Sequence, residues 1–124
     1  MYGFSTAAKA NVIATFAINA TESSVIETKD VSLTGIQMPA AWTAADITFQ
    51  GSIDGGTTYA VLYNLPQVPT ISTAVEVYTI KTPVAAKFHP VDSRIFDSMT
   101  HIKIVSSTAQ LTARSFQVAT RNKA

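Results

Sequence analysis

The stretch Ile47-Thr-Phe-Gln-Gly-Ser-Ile-Asp-Gly-Gly-Thr-Thr-Tyr-Ala-Val-Leu-Tyr-Asn64 decides the fold class. Ile47, Phe49, Gly51 and Ile53 fall on one face at period two, and Thr48, Gln50, Ser52 and Asp54 fall on the other. That alternation marks a strand with one face buried. Asp54-Gly55-Gly56 then offers residues that tolerate the positive φ of a tight reversal. Tyr59, Val61 and Tyr63 start a second alternating run. A hairpin with one face in a core is expected.

The same grammar repeats outward from this hairpin. Residues 12–18 place Val12, Ala14, Phe16 and Ile18 on one face, and residues 24–28 form a short β-branched segment before a turn at Asp30. Residues 31–38 run extended until Pro39. Residues 39–45, with Trp42 at their centre, read as a loop or a single helical turn. Residues 65–70 carry Pro66 and Pro69, which cannot donate to a ladder. Residues 74–82 read as a strand with Val75, Val77 and Thr79 opposite Glu76, Tyr78 and Ile80. Residues 90–98 suggest a short helical turn with Pro90 in its first turn. Residues 102–106 and 111–120 supply two closing strands, the last with Thr112, Arg114, Phe116, Val118 and Thr120 on one side. The expectation is an all-β protein: an antiparallel β-sandwich or jelly roll of about eight short strands. The whole chain, 1–124, reads as one domain, with 1–10 as an N-terminal arm and 121–124 frayed.

Composition narrows the chemistry. Nine Lys+Arg stand against eight Asp+Glu, a net charge of +1. Nothing there favours a polyanion, because phosphate affinity needs several cations on one face. There is no cysteine, so neither disulfides nor thiolate metal ligands enter. No apolar run reaches the ~20 residues of a membrane span. The first twenty residues faintly imitate a signal peptide, but their lone cation, Lys9, sits late, and a first β-strand is the better reading. Asn19-Ala20-Thr21 fits a glycosylation sequon, a pattern common by chance. Only 14% of residues are charged, well below the usual ~25%. A Thr/Ser-rich extracellular type of β surface explains that, and so does a life packed against neighbours.

No catalytic constellation is visible. His101 is expected on the solvated face of its strand and His89 in a loop before Pro90. Asp46, Asp54, Asp92 and Asp97 are read as caps and turn residues. Asp46 and Asp54, at ~3.3 Å per residue along a strand, lie too far apart for joint acid–base work. Trp42 with Tyr59, Tyr63 and Tyr78 is the remaining group of interest. Such rings can stack on sugars or anchor interfaces; the preferred reading has Trp42 plugging one end of the sandwich and the tyrosines covering the core rim.

The segment from Gly35 to Tyr59 carries a resemblance. Its Met38-Pro39, Trp42-Thr43, Thr48-Phe49-Gln50 and Ser52-x-Asp54-Gly55-Gly56-x-Thr58-Tyr59 resemble a recurring segment of small structural proteins of tailed bacteriophages and prophages. The likeness covers about a fifth of the chain. More broadly, the strand into Ser52-Ile53-Asp54-Gly55 and the run from His101 to Val105 resemble galactose-binding-like, discoidin-type jelly rolls, though without their cysteines or arginine-rich ligand loop. The resemblance implies a virion structural protein, most simply a decoration or cement protein on the outside of a phage head. Its expected partners are the major capsid protein or other virion proteins and further copies of itself, with residues 12–18 and 65–70 as contact candidates. No enzymatic activity, metal, cofactor, nucleic acid or membrane is expected. The alternative is a glycan-binding module of host adsorption, with Trp42 and loop tyrosines as its stacking surface.

Overall fold

A computed structural model describes residues 12–65 and 76–123. Among these residues eight strands appear in chain order: β1 (Val12–Phe16), β2 (Ile26–Glu27), β3 (Val31–Gln37), β4 (Ile47–Ser52), β5 (Ala60–Val61), β6 (Phe88–Pro90), β7 (His101–Ser106) and β8 (Arg114–Asn122). They form two four-stranded antiparallel sheets, ordered β1-β8-β3-β6 and β2-β7-β4-β5. First pairs with last, second with seventh, third with sixth and fourth with fifth. The chain is thus a long double ribbon rolled up, and this is the topology of a jelly roll. Among the described strands only the β4–β5 connection stays within one sheet.

The expected hairpin is present, with Gln50 opposite Val61 and Gly51 opposite Ala60. Gly55 and Gly56 take φ of 80° and 92°, values that favour glycine. Ile47 and Phe49 are buried as the alternation requires. Beyond Ser52 the expectation fails, because Asp54 closes the turn early and leaves Ile53 72% exposed. The phase of the return strand is also reversed: Leu62 is buried, whereas Val61 and Tyr63 face outward.

One core joins the sheets. Phe16, Leu33, Ile36, Ile47, Phe49, Phe96, Ile102, Ile104, Phe116 and Val118 are all buried within it. Two aromatic clusters pack within and against it. Trp42 meets Phe16 and Phe116 edge-on, at 5.7 and 5.2 Å between centroids. Phe49 packs on Phe96 at 5.1 Å and Tyr78 at 5.9 Å. The edge-to-face pairs, Trp42 with Phe16 and Phe116 and Phe49 with Phe96, add ~0.5–1.5 kcal/mol each beyond burial alone.

Several boundaries differ from the sequence reading. β1 stops at Phe16, and Ile18 lies exposed beside Asn19, whose φ is 64°. β3 carries a bulge where the register jumps from Leu33 to Gly35 against β8, freeing the Thr34 carbonyl to accept the Val91 N–H at 3.0 Å. The expected strand over 74–82 reduces, in its described part, to isolated bridges at Val77 and Ile80. Pro90 ends β6 instead of opening a helix; the helical turn is a single 3-10 turn at Ser93–Ile95, capped by Asp92. The tail is not frayed through 121–123, since Arg121 and Asn122 pair with Ser32 and Val31, and the Lys123 N–H reaches the Asp30 carbonyl. The arm at 1–10, Ala124 and most of the 65–70 contact segment lie outside the described residues.

Candidate interaction surface

The two outer faces of the sandwich differ in charge. On the β2-β7-β4-β5 sheet, alternation turns His101, Lys103 and Val105 of β7 outward while Ile102 and Ile104 enter the core. Lys103 reaches Glu22 at 3.4 Å and lies 4.3 Å over the Tyr59 ring. His101 is not the solvated residue the sequence suggests. Its side chain is 15% exposed, with Nε2 3.9 Å from a Glu27 carboxylate oxygen and Nδ1 3.0 Å from Thr100 Oγ1. His89 lies in β6, not in a loop, and its Nε2 accepts the Val84 N–H at 3.2 Å.

The Ser52–Thr58 turn is organised around the Asp54 carboxylate. Oδ1 accepts from Ser52 Oγ at 2.7 Å and from the Thr57 and Thr58 N–H groups at 3.1 and 3.0 Å, while Oδ2 accepts from Thr58 Oγ1 at 2.7 Å. The Ser52 hydroxyl, followed by the Thr58 hydroxyl and N–H, holds this carboxyl well below the usual carboxylate range. Above the ordinary Asp pKa of ~3.9 the carboxylate is charged in both folded and unfolded chains, and its bonds contribute in full. Below that value the unfolded chain binds a proton that the folded one resists, so stability falls with falling pH. Asp54→Asn is therefore expected to destabilise at neutral pH and to flatten the acid limb of a pH–stability curve. Thermal melts at pH 7 and pH 3 check this, and an acid limb unchanged by the substitution would count against it.

Asp92, Asp97 and Asp46 have structural roles too. Asp92 caps the 3-10 turn and is paired with Arg94 at 2.8 Å, which draws its carboxyl below the usual range. Asp97 accepts the Ser32 hydroxyl at 2.6 Å, and Asp46 accepts the Thr82 N–H at 2.8 Å. Among the described residues no three His, Asp or Glu side chains gather as a metal site.

Of the aromatic group, Trp42 packs half-buried against the core, its Nε1 donating to the Ala45 carbonyl at 3.2 Å. Tyr78 also packs on the core, and burial pushes its phenol up. The structure therefore does not assemble Trp42 and the tyrosines into one platform. Tyr59 borders an open recess, of about 310 Å³, with Ile53, Leu62 and Met99.

The outer face of the β1-β8-β3-β6 sheet has the opposite character. Ile13, Gln117, Gln37 and Phe88 stand side by side in one row across all four strands. Thr15 and Ser115 flank the row on one side, and Ala119, Gly35 and Pro90 on the other. These positions carry no charge; Arg121, two residues beyond Ala119, is the next cation along β8 and donates to Ser93 Oγ at 2.9 Å. Ile13 is 51% and Phe88 49% exposed. A shallow recess of about 210 Å³ opens among Gln37, Phe88, Gln117 and Ala119. Period-two alternation in β1 and β8 made half of this row legible. β6 was missed because Phe88-His89-Pro90 is short and ends in proline.

No protein-family model matches the chain, and no curated protein or solved structure matches it either.

Proposed function

We propose that the protein is a structural component of a tailed-phage virion, a decoration protein that binds the outside of the capsid. The observation that carries this reading is the uneven surface of the jelly roll: charges gather on one sheet, and the opposite outer face is an uncharged band with half-exposed Ile13 and Phe88. A surface so poor in charge suits a protein that works against neighbours better than one alone in solvent. Two further points support it. The segment 35–59 resembles the recurring segment of phage structural proteins, and the jelly-roll topology is one that viral capsid domains use, an analogy of fold alone. The role is non-catalytic, with the histidines and aspartates engaged in strand pairing, caps and turns.

Purified capsids of the phage or prophage encoding this chain are expected to carry it to the pellet in stoichiometric amounts, with matching density on the outer shell by electron microscopy. Protein that stays in the supernatant at every capsid concentration would overturn the proposal. The alternative, a glycan-binding module acting in host adsorption, is carried by the Tyr59 recess alone, whose volume lies at the lower end for small ligands. Retention on host polysaccharide, lost in Tyr59→Ala, would replace the first reading with the second.

A further inference from the structure

We propose that the outer face of the β1-β8-β3-β6 sheet is a homodimer contact, in which a second copy docks through a two-fold axis between β8 and β3. The row across that face reads Ile13, Gln117, Gln37, Phe88: apolar, amide, amide, apolar. A two-fold contact puts the same patch on both partners, so the patch must complement itself after half a turn. This row does. Rotation about its centre sets Ile13 of one copy over Phe88 of the other, and Gln117 against Gln37.

Three features favour a second copy over other occupants. The face carries no charge that a like-charged copy would have to oppose, and the chain's net charge of +1 repels little at a distance. The recess beside the row, about 210 Å³, falls short of the ~300 Å³ at which small-molecule sites begin, but it can take one protruding side chain. The Phe88 ring covers Gly35, where an added Cβ would collide with the ring carbons. The ring therefore lies down over the sheet and leaves a broad, low face.

Four strands at ~4.8 Å spacing and five residues at ~3.3 Å give roughly 300–400 Å² of face per copy. A stable complex buries ~800 Å² per partner. The free dimer is accordingly weak, with Kd of about 0.1–1 mM, and becomes useful where copies are concentrated on a shared surface. That use rests on the virion reading above; the contact itself is tested in free protein, so failure of one does not imply failure of the other.

Sedimentation and amide chemical shifts, followed from about 10 µM to 1 mM, are expected to show dimer formation with shifts confined to this face. Ile13→Lys and Phe88→Glu should each weaken association at least tenfold. An equimolar mixture of the two variants should recover it, because the introduced ammonium of one copy then meets the introduced carboxylate of the other. A monomer at 1 mM, shifts on the β2-β7-β4-β5 face, or two folded variants whose mixture stays monomeric would each overturn the proposal. Should Phe88→Glu fail to fold, Gln117→Arg takes its place: it sets two guanidinium groups near the axis and should abolish the dimer, and undiminished association would be fatal.

Discussion

Phe49→Ala is expected to lower the free energy of unfolding by ~3–5 kcal/mol. The ring is fully buried near the middle of β4 and makes edge-on or tilted contact with Phe96 and Tyr78. Removing it deletes apolar burial and leaves a void between two sheets that cannot close without shifting both. Phe49 also sits opposite Ile104 in the β4–β7 ladder, so the backbone around it is held at both sides. Against a total stability of ~5–15 kcal/mol for a domain, such a loss is a large share. Urea titration should show a lower midpoint with an unchanged slope. A loss below ~1 kcal/mol would mean that the ring does not carry the core.

Phe49 was legible because burial in a strand leaves a period-two trace. The same trace identified Ala14, Phe16, Ile47, Ile102, Ile104, Phe116 and Val118, all buried. It gave the all-β class and the hairpin. It failed where a side chain, not the ladder, ended the strand. Asp54 gathers Ser52, Thr57 and Thr58 around one carboxylate, so the chain turns before Ile53 can face inward. After the turn, aromatic bulk at Tyr59 and Tyr63 suggested one phase, while Leu62 took the other. The tail looked polar enough to fray, yet Arg121 and Asn122 extend β8 along β3. Such pairing depends on where a distant strand lies, and local pattern does not carry that. The uncharged row was only half legible for a related reason: Ile13, Gln117, Gln37 and Phe88 lie on four strands far apart in sequence and meet only through register.

Gln110 is the plainest case of a residue with no local signal, and its replacement by leucine has the second large expected effect. It stands in a polar stretch between β7 and β8, yet it is fully buried. Its Nε2 donates to the Thr43 carbonyl at 3.0 Å and to Ser106 Oγ at 3.1 Å. Its Oε1 accepts the Thr43 N–H at 2.9 Å and Arg114 Nε at 3.2 Å. One side chain therefore satisfies both backbone groups of Thr43 and latches the Trp42 loop to the start of β8. Leucine keeps the bulk but satisfies none of these groups. Each buried polar group left without a partner costs ~1–3 kcal/mol, and Arg114 can still turn to Thr43 Oγ1 or water, so the expected loss is ~2–5 kcal/mol. The damage should also be local. Amide exchange at Thr43 should accelerate more than exchange within β4, and Trp42 emission should shift to the red as its loop loosens from Phe16 and Phe116. A variant that loses less than ~1 kcal/mol with Trp42 emission unchanged would show that the loop is held by apolar packing alone, with Gln110 merely filling space beneath it.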